Sequence, residues 1–202
     1  MEHLLDTLAS GIHDAKNQLF IAESLVAASE AQHGVDLGEA RYAIEAAAAR
    51  LDRTLAAYRL MRHSAQLAIV PAIVGDLCAE VALSQQHHLA AGGIELRVDC
   101  RVLDEWPLDR DLVGDMLNNA VQNAGRFARG CVVLSAQTEN DGLLLRVEDD
   151  GPGFASLPPR MHTGLLVADR LAAMHRRRGR SGSLRLDNAS ALGGARFALW
   201  LP

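Results

Sequence analysis

The segment "VEDDGPGF" (147–154) contains residue types that can bind a ligand. A predicted strand ends at Asp149, and Gly151 and Gly153 follow it in an Asp-x-Gly-x-Gly pattern. A carboxylate at a strand end can accept a hydrogen bond from an exocyclic amine, such as that of adenine. The glycines let the backbone turn through positive φ and approach a ligand closely. A tight turn without a ligand fits the same pattern, so this segment alone leaves both interpretations open.

A second polar cluster lies in "GDMLNNAVQNAGRFA" (114–128), which is predicted to be helical. Asp115, Asn119 and Asn123 are four residues apart, so they share one face of the helix. Oxygen ligands of this kind suit Mg²⁺, which keeps several of its waters when it binds beside phosphates. The pattern therefore predicts either a magnesium site or a solvated polar face.

A third group of polar residues lies in "GIHDAKNQLF" (11–20), where Asp14 follows His13 and Asn17 lies one helical turn further on. A neutral imidazole is a competent nucleophile toward a phosphoryl group. A neighbouring carboxylate can orient the ring or take its proton. His13 is one residue, about 100° around the helix, from the apolar position Ile12, so we expect it to face water. An inert surface histidine is the alternative.

The elements that carry these residues follow from the spacing of apolar side chains. Apolar residues three or four apart predict helices over 2–32 and 40–66, joined by a glycine turn. Such a hairpin is about 40 Å long and cannot cover both of its apolar stripes. We therefore expect two copies to pair as an antiparallel four-helix bundle.

Beyond Pro71 the pattern changes to helix, strand, helix, strand, strand, helix, strand, strand. This order is typical of an α+β fold, a two-layer sandwich with helices on one face of a mixed sheet. The sequence predicts two domains, a dimerisation hairpin over 1–67 and a sandwich over 68–202. The run "HRRRGR" (175–180) is expected to be a solvated loop.

Composition limits the classes of partner and compartment. The chain has 202 residues, 22% of them charged, and a formal charge of −5, which gives no reason to expect nucleic acid. There is no apolar run of the length of a membrane helix, and the acidic N-terminus does not resemble a secretory signal. The three cysteines have no metal-ligand spacing, so we expect reduced thiols in a cytoplasmic protein.

Taken in this order, the segments resemble the catalytic core of two-component sensor histidine kinases, which has a Bergerat-type ATPase domain. The segment "DMLNNAVQNA" resembles the N box of that family, and "DDGPGF" resembles its first glycine box. Its second glycine box and last strand resemble "TGLLVADRLAAMH" and "GGARFALWLP". The hairpin with "HDAKN" resembles the dimerisation and phosphoacceptor domain, so the resemblance covers about 5–202.

The resemblance implies a protein-histidine kinase that uses ATP and Mg²⁺. It would phosphorylate itself on His13 and pass the phosphoryl group to the receiver domain of a response regulator, with possible dephosphorylation of that partner through Asp14 and Asn17. We expect a cytoplasmic homodimer with no nucleic-acid or membrane partner. The implied nucleotide site has Asp149 on adenine, Asn119 as the magnesium ligand, Asp115 as a catalytic residue that places magnesium-bound groups, and further contacts from Asn123, Gly151, Gly153 and Gly164.

The chain departs from the family pattern in its phosphate-binding part. Gln122 replaces a phosphate-contacting lysine, for which Arg126 is a candidate substitute, and Ala195 replaces a threonine. The second glycine box keeps only Gly164, and the lid that precedes it is short. The alternative is therefore a histidine phosphotransfer protein whose ATPase-like domain no longer binds ATP and serves for partner docking. An anti-sigma-type serine kinase shares the ATPase motifs, but the "HDAKN" hairpin argues against it.

Overall fold

A computed structural model of the protein describes residues 2–44, 46–48, 51, 67–157 and 163–202. The side chains of 2–10, 12, 13, 16, 163, 164 and 167 lie outside this description. The chain forms two compact units, Met1–Ala65 and Gln66–Pro202. Among the described residues, none of the helices has the length and apolar character needed to cross a lipid bilayer.

The first unit contains helix α1 (Glu2–His33) and helix α2, which is helical at 38–44, 46–48 and 51. Gly34 has a φ of 65° and breaks α1. Glu30 then holds the start of α2, because its Oε1 accepts the N–H of Leu37 at 2.8 Å. The guanidinium of Arg41 lies 3.5 Å from Glu30 and 4.0 Å from Glu23. Most of the predicted second helix after residue 51 lies outside the described residues, and the hairpin and dimeric bundle stay predictions.

The second unit is built on a five-stranded mixed sheet with helices against it. The strands are β1 (Val70–Ile73), β2 (Glu95–Cys100), β3 (Glu105–Leu108), β4 (Cys131–Glu139), β5 (Gly142–Asp149), β6 (Arg176–Arg177), β7 (Arg180–Ser181), β8 (Ser183–Asp187) and β9 (Arg196–Leu201), and the helices are α3 (Val74–Ala91), α4 (Arg110–Phe127) and α5 (Thr163–Met174). The order of the five strands in the sheet is β2-β4-β5-β9-β8. Strand β2 pairs with β4 in parallel, and the other pairs of this sheet are antiparallel. The predicted α+β class and mixed sheet are confirmed.

The core lies on one face of this sheet. Leu134, Val147 and Phe197 are buried and lie side by side in the register of β4, β5 and β9, whereas the residues directly before and after each of them are partly exposed. Helices α3, α4 and α5 pack against the sheet. Because successive side chains of a strand point to opposite faces, this burial pattern assigns one face to the helices.

Helix α4 shows how the sequence fixes these contacts. The Asp109 side chain caps its first turn by accepting the N–H of Leu112 at 3.2 Å. A Cβ on Gly125 would lie 2.2 Å from a Leu89 methyl, so this glycine permits close approach of α3. The buried stripe repeats every three or four residues, as expected of a helix on a core: Val113, Met116, Leu117, Ala120, Val121 and Ala124.

The structure adds strands that the sequence pattern did not predict. Strands β1 and β3 form a separate two-stranded sheet in which Pro71 lies opposite Pro107. Proline has no N–H to donate, so its presence argues against a strand, but a short sheet with free edges tolerates it.

The predicted solvated loop over 175–180 was wrong in two respects. Strands β6 and β7 form a hairpin there, and His175 is buried, with a relative exposure of 3%. The arginines of this segment are exposed, as predicted.

The described cysteines are all free thiols. Cys78 lies in the core, where burial, together with the neighbouring Cys100, raises the pKa of its thiol to about 12. The thiol of Cys78 is therefore protonated at neutral pH.

Candidate functional site

Asp149 forms the centre of the candidate site. It ends β5 and has a relative exposure of only 4%. Its Oδ1 accepts the N–H groups of Gly151 at 2.8 Å and Ala195 at 3.2 Å. Within the described residues, both hydrogen bonds of this carboxylate are accepted by Oδ1. Oδ2 accepts none of them and is not fully enclosed by the protein. The carboxylate is thus fixed in orientation with one oxygen available to a ligand.

The loop between β8 and β9 holds the main chain of Asp149. The Ser190 hydroxyl donates to the Asp149 carbonyl oxygen at 2.8 Å, and the Gly194 N–H donates to the same oxygen at 3.0 Å. The Asp149 N–H donates to the Ala195 carbonyl at 3.1 Å. Hydrogen bonds on every polar main-chain atom leave the end of β5 little freedom to move.

Three glycines are needed because the site has no room for side chains. A Cβ on Gly151 would lie 2.4 Å from the Phe127 carbonyl oxygen. A Cβ on Gly194 would lie 2.3 Å from Asp149 Oδ1 and 2.6 Å from the Gly151 nitrogen. Gly153 has a φ of 74°, a left-handed conformation that glycine adopts without strain. Gly194 was part of a matching segment, but sequence reasoning gave it no role in the site.

Asn188 is a second residue that sequence reasoning missed. Its Oδ1 accepts the Phe154 N–H at 2.7 Å, and its Nδ2 donates to the Phe154 carbonyl oxygen at 3.0 Å. Both groups of one amide therefore hold the end of the glycine loop, just before residues 155–157. The partners are main-chain atoms 34 residues away, so no local pattern could have identified this contact.

Asp150, the other carboxylate of "EDDG", points to a different part of the fold. Its Oδ1 accepts the N–H groups of Arg129 at 2.7 Å and Gly130 at 3.2 Å. Desolvation opposes ionisation of this carboxyl, but these backbone hydrogen bonds outweigh it and lower the pKa of Asp150. Asp150 thus fixes the connection between α4 and β4 and is a natural control for Asp149.

The polar residues of α4 approach the site to different degrees. Because the Phe127 carbonyl contacts the position of Gly151, the end of α4 adjoins the glycine loop. Asn123 and Asn119 lie one and two turns before Phe127, about 6 and 12 Å along the helix axis. Both are half-buried, whereas Asp115, one turn further away, is exposed.

No known family model and no curated protein matches this chain. Solved structures do match it. The Acinetobacter baumannii histidine kinase AdeS superposes with a TM-score of 0.65 at 14% identity, over 92% of this chain and 95% of AdeS. ShkA, solved in complex with AMPPNP, gives a TM-score of 0.67 at 20% identity over 98% of this chain and 45% of its own. The fold is that of a histidine kinase catalytic core.

The ATP-binding domain of PrrB from Mycobacterium tuberculosis is similar at 25% identity, with a TM-score of 0.53 over 67% of this chain and 97% of that domain. These likenesses agree with the resemblance that the sequence motifs indicated. They concern the fold, and the roles of individual residues rest on the geometry of this chain.

The remaining predicted site residues of this histidine kinase fold are only partly described. His13 lies within α1, but its side chain lies outside the described residues. Asp14 and Asn17 are exposed on the same helix. Gly164 is the second residue of α5, and its surroundings are likewise outside the description.

The neighbours of the predicted ligands on α4 differ in their contacts and burial. Asn118 Oδ1 accepts from the Ser84 hydroxyl at 2.7 Å and from Gln85 at 3.0 Å, so this amide joins α4 to α3. Gln122 is half-buried and Arg126 is exposed. Within the described residues, no group of three or more His, Cys, Asp or Glu side chains is arranged to hold a metal.

Proposed function

We propose that the protein is a histidine kinase of a two-component system, which phosphorylates itself on His13 with ATP and passes the phosphoryl group to an aspartate of a response regulator receiver. The observation that carries this proposal is the Asp149 carboxylate, fixed through Oδ1 by two backbone N–H groups while Oδ2 is available. It lies in a fold shared with solved histidine kinases.

Asp149 suits the recognition of adenine. The exocyclic amine of adenine is a donor, and an ionised carboxylate only accepts. A ligand that donates to Oδ2 forms a charge-assisted hydrogen bond with an acceptor that needs no reorientation. The absence of side chains at Gly151 and Gly194 lets the surrounding main chain lie close to Oδ1, the oxygen that holds the carboxylate in this orientation.

Helix α4 offers the oxygen atoms that a magnesium ion beside the phosphates would need. Asn119 and Asn123 are half-buried amides on the helix that adjoins the glycine loop, and Mg²⁺ binds such oxygens together with water. We assign Asn119 as the protein ligand and exposed Asp115 to the hydrogen bonding of magnesium-bound waters. When bound, Mg²⁺ neutralises charge that develops on the transferring phosphoryl group.

His13 is the proposed nucleophile. A bond forms between an imidazole nitrogen and the γ-phosphorus, while the bond from that phosphorus to the bridging oxygen breaks and ADP leaves. Asp14 orients the ring or accepts its proton, and Asn17 serves transfer or the dephosphorylation of the receiver. Residues 1–67 would form the dimerisation and phosphoacceptor domain of a cytoplasmic homodimer, and 68–202 the ATP-binding domain.

Calorimetric titration of ATP with Mg²⁺ tests this proposal through two neighbouring carboxylates. Asp149→Asn puts a donor near the adenine amine, and we expect affinity to fall about ten- to a hundredfold, as for the loss of one charge-assisted hydrogen bond. Asp150→Asn serves as the matched control, because its partners are the Arg129 and Gly130 N–H groups. It should change the ATP affinity less than twofold. Equal losses in both variants would contradict the assigned role of Asp149.

The alternative function, phosphotransfer without ATP binding, is favoured by one observation. Ala195 lies beside Asp149, where the resemblance leads us to expect a threonine, and its methyl group offers no hydroxyl to a bound nucleotide. If the wild-type chain binds no ATP at millimolar concentration, this function replaces the kinase. A phosphorylated receiver should then still transfer its phosphoryl group to His13.

A further inference from the structure

The hairpin of β6 and β7, residues 176–181, concentrates positive charge. Four of the 20 basic residues of the chain are among the five positions 176–180. All four arginines are exposed, and Arg180 donates to the Asn140 carbonyl at the turn before β5 at 2.7 Å. Strand β5 has eight residues and spans about 24 Å at roughly 3.3 Å per residue. This arginine hairpin therefore lies at the end of the sheet opposite Asp149.

The arginine hairpin is locally unfavourable in two ways. Arg178 has a φ of 50°, a left-handed conformation in which glycine, asparagine and aspartate are favoured. Arg177 lies directly opposite Arg180 in the strand register, and like charges in such a pair destabilise a sheet. Residues that break local rules without a stabilising gain concentrate at functional sites.

Two of the arginines are held in place by the fold. The Arg180 guanidinium stacks 4.4 Å from the centre of the Trp200 ring, a favourable cation–π contact. Arg176 Nε donates to the Ser181 hydroxyl at 3.2 Å. The side chains of Arg177 and Arg178 make no hydrogen bond or ion pair with any residue that the structure describes, so their guanidinium groups are available.

His175 anchors the arginine hairpin to the core. Its Nδ1 lies 2.9 Å from the Leu171 carbonyl, its Nε2 accepts the Asp109 N–H at 3.2 Å, and its own carbonyl accepts the Gly182 N–H at 2.8 Å. Burial lowers the pKa of His175, although the Leu171 carbonyl and Asp109 oppose this effect. The positive charge of this surface therefore comes from the arginines, which stay charged at all accessible pH values.

We propose that the arginine hairpin binds a carboxylate-rich segment of a partner protein. Guanidinium groups bind carboxylates in a bidentate way, and arginine is favoured over lysine for this geometry. The proposal goes beyond the proposed kinase activity and does not depend on it.

The surroundings of the arginine hairpin favour a short acidic protein segment over a polyanion. Without these four arginines the formal charge of the chain would fall from −5 to −9. Glu139 and Asp141 flank the Asn140 carbonyl that Arg180 contacts. An extended nucleic acid or an anionic membrane carries negative charge over a surface wider than the arginine hairpin, so it would also meet these two carboxylates and be repelled by them. A compact cluster of glutamates or aspartates can bind the arginines without reaching these carboxylates.

Fluorescence anisotropy with a fluorescein-labelled hexaglutamate peptide and the full chain tests the proposal. We expect Arg177→Gln with Arg178→Gln to weaken binding about tenfold, since two charge-assisted contacts are removed. The matched control, Arg97→Gln with Arg101→Gln, removes the same charge from β2 and the residue that follows it, where the two arginines are exposed and paired with Glu95 and Asp99. It should change the affinity less than twofold.

Single substitutions at Arg178 separate binding from stability. Arg178→Asn places a favoured residue at the left-handed position, so the variant should melt at a higher temperature than the wild type while it binds the peptide more weakly. Arg178→Lys retains the charge and should lose less affinity than Arg178→Asn.

Several results would overturn the proposal. Equal peptide affinity in the wild type and the Arg177/Arg178 double variant would do so, as would the absence of peptide binding at low salt. Binding of a single-stranded oligonucleotide or of phosphatidylglycerol vesicles that depends on these arginines, without binding of the peptide, would assign the surface to a different class of partner.

Discussion

At one end of β5, the carboxylate and main chain of Asp149 take part in hydrogen bonds with the backbone of Gly151, Gly194 and Ala195. At the other end, beyond Gly142, the arginine hairpin contacts the sheet through the side chains of Arg180 and Trp200. The first region is held by main-chain geometry, and the second presents charge on exposed side chains.

This difference indicates what each region can recognise. Backbone hydrogen bonds and close glycine contacts hold one acceptor in a single position, as a ligand with a defined donor requires. Exposed guanidinium groups can adjust to carboxylates on many surfaces, and their interactions weaken with salt. We therefore expect substitutions near Asp149 to act through shape, and substitutions in the arginine hairpin to act through charge.

The largest effect is expected for a methyl group at Gly194. In Gly194→Ala the new Cβ would meet Asp149 Oδ1 at 2.3 Å and the Gly151 nitrogen at 2.6 Å. The Gly151 nitrogen is a backbone atom, and Asp149 Oδ1 is held by two backbone N–H groups. Neither atom can move aside without breaking the site, so we expect a loss of about 3 kcal/mol in the free energy of unfolding. Urea denaturation measures this loss.

Gly179→Ala is the matched change in the arginine hairpin. Nothing lies within 4 Å of a Cβ at Gly179, and only its φ of 78° opposes a side chain. The cost should be about 1–2 kcal/mol, the usual penalty of the left-handed conformation. Equal losses for Gly194→Ala and Gly179→Ala would argue against a sterically closed site at Asp149.

A smaller loss of stability is expected for a substitution at Asn188. This substitution also tests whether ATP affinity and stability change separately at the Asp149 end of β5. Asn188→Ala removes both hydrogen bonds to Phe154, which should lower stability by about 1–2 kcal/mol and weaken ATP binding roughly fivefold, because the end of the glycine loop is released. Isothermal calorimetry and thermal melting measure the two quantities.

Ser181→Ala is the control for Asn188→Ala at the opposite end of β5. It removes the hydrogen bond from Arg176 and should leave the ATP affinity unchanged. Asn188→Asp keeps an acceptor for the Phe154 N–H and should bind ATP with intermediate affinity. Unchanged ATP affinity in Asn188→Ala would contradict a positioning role.

The residues of the candidate site could be proposed from the sequence where they are neighbours in the chain. Asp149, Gly151 and Gly153 form a local pattern, and the four-residue spacing of Asn119 and Asn123 follows from helix geometry. The mixed sheet was likewise predictable, because alternate residues are buried in strands such as β4, and the buried positions are apolar.

Contacts between distant segments could not be predicted in this way. Asn188 and Gly194 act on residues more than 30 positions earlier, so their roles depend on the pairing of β5 with β9. Nothing in the sequence indicates that His175 is buried, because four arginines follow it closely. Its partners, the Leu171 carbonyl and the Asp109 N–H, are main-chain atoms, which no residue type identifies. The pairing of β1 with β3 was not predicted, because each strand contains a proline, Pro71 or Pro107, and proline usually argues against a strand.

The central claim is that ATP phosphorylates His13, and acid-labile phosphate on the protein tests it most directly. A phosphoramidate is labile in acid and stable in base, so it is distinguished from phosphoserine. After incubation with labelled ATP and Mg²⁺, we expect acid-labile label on the wild type and on His33→Gln, a control in the last turn of the same helix. His13→Gln should carry none, although its ATP affinity is unchanged. Label that persists in His13→Gln would contradict the account.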